Sequence, residues 1–149
     1  MNVPVDGDEK KVRLTMWEVT ELLGRNGDAF RLFTRELKAV LLCYTMSSQA
    51  SFEYATEQAE AIKKHLAEGG GEYLVYLLAL VPSDYESVVI PFSEGIKLKE
   101  SIGDACVRFT EVPLRDFDET LSLMTGVLRE LFAQGKILAP SRSSIRLVR

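Results

Sequence analysis

The side chains able to act as bases or nucleophiles are few. The single histidine, His65, directly follows Lys63 and Lys64, and the two cysteines, Cys43 and Cys106, lie far apart. Nucleophilic catalysis needs a Ser, Cys or Thr beside a base, and the lysines put His65 at the polar boundary of its helix, as a surface histidine. Neither cysteine belongs to a C-x-x-C pair, and both sit in apolar segments, which predicts buried free thiols in a reducing compartment. A structural zinc site draws four ligands from Cys, His and carboxylate, and His65 has no cysteine at finger-like spacing. Asp6-Gly7-Asp8-Glu9 supplies oxygens without the spacing or terminal glutamate of a calcium loop, so it reads as a solvated leader. No metal or cofactor is expected.

Gly69-Gly70-Gly71 would interest phosphate if it opened a helix with Lys and Ser/Thr behind it. It ends one instead, between Glu68 and Glu72, and reads as a flexible connection. Asp116, Asp118 and Glu119 crowd a helix start, where acids cap amides and favour the macrodipole. Glu94 and Glu111 could act together only if the fold brings them into one cleft, and a small enzyme would have to hide there.

The elements that would position these residues fall into three stretches. Thr15-x-x-Glu18 forms a capping box, with Leu14 stapling onto Val19 and Gly24 as the stop, which predicts a short helix. A second helix is expected from Asp28, with Phe30, Phe33, Leu37, Val40 or Leu41, and Tyr44 as its stripe. A third is expected from Ser51, with Phe52, Ala55, Ala59, Ile62 and Leu66 inward. Tyr73 to Val81 reads as a buried strand, with its Leu and Ala content leaving a short helix as the alternative, and Val88 to Phe92 as a short edge strand because Pro91 cannot donate to a ladder. Ile96 to Lys99 and Ala105 to Val112 alternate around Ser101-Ile102-Gly103-Asp104, a hairpin signal. A helix from Asp116 or Asp118 to Gly135 follows, with Leu121, Met124, Leu128, Leu131 and Phe132 as its apolar face. Ile137 to Ala139 and Ile145 to Val148 then read as a closing hairpin.

The expected fold class is α+β: N-terminal helices, a central antiparallel β-meander, then a C-terminal helix and short hairpin. Residues 1–13 form a flexible leader and 14–149 a single domain, long enough at 46% hydrophobic residues to build its own core. No apolar run approaches the length needed to cross a bilayer, so no membrane insertion is expected. The expected compartment is the cytoplasm, with the nucleus left open.

The formal charge of −4 is uneven. Lys136, Arg142, Arg146 and Arg149 carry the only charges of the last fourteen residues, leaving −8 on the rest, so a polyanion would have to use this strip. The run Leu121 to Arg149, an amphipathic helix, then Leu131-Phe132-Ala133-Gln134-Gly135-Lys136-Ile137 and a hairpin whose tip carries Ser141, Arg142, Ser143 and Ser144, resembles the end of a winged-helix domain over about a fifth of the chain. That resemblance implies a helix reading the major groove, whereas the outward positions include Asp118, Glu119 and Glu130, with Arg129 the main basic exception. A helix and closing hairpin on a mixed domain is the simpler reading.

Three functions follow. The first is an intracellular protein-interaction module or adaptor subunit that binds another protein, or a second copy, through the edge around Val88 and Phe92 or the C-terminal basic hairpin. Its aromatic inventory includes Trp17, Tyr54, Tyr73, Tyr76 and Tyr85. The second is a nucleic-acid-associated protein using Lys136, Arg142, Arg146 and Arg149. The third is a small enzyme with an unrecognised site.

Overall fold

The computed structural model describes residues 2–5, 8–11, 13–19, 37–113, 117–136 and 142–148, with side chains within 37–113 and 120–136. In chain order the elements are β1 (Asn2–Val5), β2 (Asp8–Lys11), β3 (Arg13–Val19), β4 (Leu37–Thr45), α1 (Gln49–Ala67) and β5 (Leu74–Val81). They continue with α2 (Phe92–Ile102), β6 (Cys106–Pro113), α3 (Phe117–Ala133) and β7 (Arg142–Val148). β1 and β2 pair antiparallel as a separate two-stranded ribbon, Val5 opposite Asp8. The other five strands form one sheet in the order β3-β7-β4-β5-β6, and every pairing in it is parallel.

The expected antiparallel meander is therefore wrong, since the α2 helix takes the place of its Ile96–Lys99 strand, and β4, expected as helix, adds a parallel strand beside β5. Ala39-Val40-Leu41-Leu42-Cys43-Tyr44 is apolar at every position, so any three- or four-residue spacing finds a stripe in it, and the helix expected from Asp28 was read from that stripe. As a strand the same run offers an apolar side chain to each face, and it is stable only with helices on both. One face carries Val40, Leu42 and Tyr44 beneath Ala55, Ala59 and Ile62 of α1 and Leu98 and Ile102 of α2. The other carries Ala39, Leu41 and Cys43 beneath Met124, Val127, Leu128 and Leu131 of α3.

Parallel neighbours need crossovers, and α1 and α2 supply those of β4 to β5 and β5 to β6. The expected Ile96–Lys99 strand lies inside α2, where Gly95, Leu98 and Ile102 are buried at helical spacing and Ile96 and Lys97 are not. The Val88–Phe92 strand is also absent: Tyr85–Ser87 is a 3-10 turn, the Val89 and Ile90 amides both donate to the Met46 carbonyl at 2.9 and 3.0 Å, and Pro91 caps α2. The Cys106–Pro113 segment is a strand as expected, but it pairs parallel with β5 and not in a hairpin.

Two further corrections concern the ends of the sheet. β3 occupies the start of the helix expected from Thr15, and its seven residues are in register with Arg142–Val148. That non-local ladder outweighs a local capping box. Arg142–Val148 is accordingly one interior strand between β3 and β4, in place of the expected closing hairpin. The Ile137–Ala139 half of that hairpin, the 20–24 part of the first helix and the 28–36 part of the second lie outside the described residues. The helix from Ser51, the strand from Tyr73 and the helix ending before Gly135 agree with expectation, except that Leu121, expected on the apolar face of the last helix, is exposed near its start. No helix among the described residues is long and apolar enough to cross a membrane.

Candidate functional site

Because β4, β5 and β6 run in parallel, their carboxyl ends lie together, and the connections leaving them build one rim of the molecule. At β4 the corner is closed by hydroxyls. Ser51 Oγ accepts from the Thr45 amide at 3.0 Å and donates to the Thr45 and Ser48 carbonyls, while Ser48 Oγ caps α1 by accepting from the Ser51 amide at 3.2 Å. This corner stands at the carboxyl end of β4, which has β7 on one side and β5 on the other. Its hydroxyls are used within the corner itself.

The connection from β5 to α2 is different. Tyr85, Val89, Phe92 and Ile96 are 79%, 58%, 45% and 39% exposed, and among the described residues the only other large apolar side chain so exposed is Leu121. The segment is nonetheless pinned. Asp84 caps the Tyr85–Ser87 turn by accepting from the Glu86 amide at 3.0 Å, the Met46 carbonyl holds Val89 and Ile90, and Ile90 is buried. Phe92 stacks on Phe109 of β6 with ring centroids 4.8 Å apart and planes 29° from parallel. Gly95 lets α2 settle onto β6, since a Cβ there would strike the Phe109 ring and the Tyr44 hydroxyl. Tyr44 is buried with no hydrogen-bond partner on its hydroxyl among the described residues, and burial first, then the Glu111 charge, pushes its phenol up to about 12.

On the α3 face of the sheet, Tyr76 of β5 donates to Glu130 Oε2 of α3 at 3.2 Å, and Arg108 of β6 stands 3.8 Å from the same oxygen. Burial, with the Glu130 charge behind it, raises the Tyr76 phenol well above its ordinary value. Beside this cluster a depression of 290 Å³ is lined by Arg108, Thr110, Glu111, Val112, Ser122 and Leu123. Glu111 lines it, whereas Glu94 is paired with Lys97 at 2.6 Å, so the two carboxylates serve different surroundings.

Of the residues singled out from sequence, Phe92 sits in the exposed rim, and Val88 is half-buried against the α1/α2 core. Tyr85, Val89 and Ile96 complete the rim; Val89 lies inside the Val88–Phe92 apolar run, Tyr85 between Asp84 and Glu86, and Ile96 between Gly95 and Lys97, with no periodicity to flag them as a set. The basic strip is dispersed. Lys136 lies 3.5 Å from the Glu72 carboxylate, Arg142 and Arg146 occupy β7 in register with Arg13 and Trp17, and Arg149 lies outside the described residues. No hairpin tip presents these arginines, because β7 is flanked by strands on both sides.

His65 is a correction. It is buried rather than at the surface, because it continues the inward face Ala55, Ala59, Ile62, and its Nδ1 lies 3.1 Å from the Tyr73 hydroxyl. Gly70 packs against that ring where a Cβ would collide with it, so the glycine run is a close contact as well as a connection. Around it, at the amino end of the strands, Leu37, Lys38, Gly71, Gly135 and Lys136 help to line an open depression of 730 Å³. Both cysteines are buried and unbridged, and burial raises the Cys106 thiol. Among the described residues no group of three or more His, Cys, Asp or Glu side chains is placed to hold a metal ion.

No protein-family model matches the chain, and no curated protein matches it in sequence.

Proposed function

We propose that the chain is a protein-interaction module, an adaptor or regulatory subunit, that docks a partner protein through the rim formed by Tyr85, Val89, Phe92 and Ile96. The supporting observation is that these four large apolar side chains are each exposed within residues 85–96, a segment held by the Met46 carbonyl and the Phe92–Phe109 stack. Exposed apolar side chains on a fixed backbone lose little conformational entropy on binding, which is how interface anchors act. Asp84, Glu86 and Glu111 are exposed around the rim, so the partner that fits it presents an apolar segment flanked by lysine or arginine.

The reading is tested with a photo-crosslinking amino acid placed at Val89 and, as control, at the exposed Glu60 of α1. A discrete adduct from native lysate, nuclease-treated, is expected at position 89 and not at 60. Identical adduct patterns at both positions would sink the proposal.

A further inference from the structure

We infer that the outer edge of β6 takes up an extended, basic-flanked segment of the partner protein as an added strand, with Phe92, Ile96 and Phe109 receiving its alternate side chains on one face. The inference rests on the interaction reading above and names the form of the partner. Among the described residues β6 pairs only with β5, so the far side of its ladder offers backbone donors and acceptors to an incoming chain. A strand laid there would send successive side chains to opposite faces. On the α2 face they would meet the Phe92–Phe109 stack and exposed Ile96. On the α3 face they would meet the 290 Å³ depression, whose Arg108, Thr110 and Ser122 suit a polar side chain.

The edge is also guarded. The register slips between Val75 and Tyr76, Arg108 and Glu111 are exposed, and Pro113 ends the strand, so a short segment of matching charge is accepted and indiscriminate pairing is not. Exposed Glu111 calls for a lysine or arginine at that end. A second copy of the chain fits less well. Arg108 and Glu111 are an odd number of positions apart and lie on opposite faces of β6, so two-fold self-pairing never sets one directly against the other.

The probe is a displayed library of random linear peptides, followed by synthesis of the selected sequences. The expected winners carry apolar residues at alternate positions and a basic residue at one end, and they slow amide exchange along residues 107–112. Methylating the peptide nitrogens that face β6 should weaken binding by about tenfold per bond lost, while methylating the intervening ones leaves it unchanged. Glu111→Lys should weaken it by about fivefold. Strand addition is overturned by no winners, by winners with helical spacing, by equal effects of the two methylation series, or by β6-mediated dimerisation of the free protein. Peptides that need Phe92 but leave β6 exchange unchanged also overturn it while sparing the rim, and the Val89 crosslink judges the rim independently.

Discussion

Gly95 shows how one missing methyl group sets the rim. Gly95→Ala gains helix propensity of about 1 kcal/mol but must displace the Phe109 ring or the Tyr44 hydroxyl, an overpacking cost of about 1–3 kcal/mol. The expected result is a lower melting temperature together with a disturbed Phe92–Phe109 stack, read by calorimetry and near-ultraviolet circular dichroism. The buried phenols give a second prediction at this scale. Tyr44, Tyr73 and Tyr76 all have raised pKa values, chiefly from burial. Above pH about 10 the unfolded chain releases these protons while the folded chain keeps them, so the unfolded state binds fewer and stability falls as pH rises. Each phenol contributes a slope of about 1.4 kcal/mol per pH unit between its unfolded and folded pKa. Urea melts from pH 8 to 11.5 should show a flat region and then this decline, and Tyr76→Phe should make the decline shallower.

At the scale of elements, the account turns on a sheet covered on both faces. Leu77 is fully buried in β5 beneath α1 and α2, so Leu77→Ala should cost about 2–5 kcal/mol, whereas Leu121→Ala on exposed α3 surface should cost less than about 0.5 kcal/mol. Chemical denaturation of the two variants checks the contrast. The two longer helices and β5 were legible because their signals are local: Ala55, Ala59 and Ile62 at helical spacing, an apolar run of strand length after the glycines, and Met124, Leu128 and Leu131 on one side of α3. β4 was not, because a run apolar at every position carries no period. β3 was not, and β7 only as the Ile145–Val148 stretch without its parallel partners, because their pairing joins distant parts of the chain and no window of sequence contains both. Ile96-Lys97-Leu98-Lys99 alternates over four residues, too few to separate a strand from the α2 helix whose buried positions are Gly95, Leu98 and Ile102.

For the whole molecule, the candidate site was legible only in part. Phe92 was marked by an edge strand that does not exist: Pro91, whose missing donor pointed to a sheet edge, is instead the N-cap of α2. The basic strip was legible as composition, and among the described residues it divides between Lys136, paired with Glu72, and the Arg142 and Arg146 positions of an interior strand. What the parallel fold adds is a common end for β4, β5 and β6, where the exposed rim is held by Met46 on one side and Phe109 on the other. The most direct test compares partner capture from nuclease-treated native lysate by the unaltered protein and by Val89→Asp and Phe92→Asp variants, with circular dichroism confirming that each variant is folded. Retention of the fold with at least about tenfold loss of the captured partner, in keeping with a buried anchor at an interface, is the predicted result; undiminished capture by both folded variants would contradict the account.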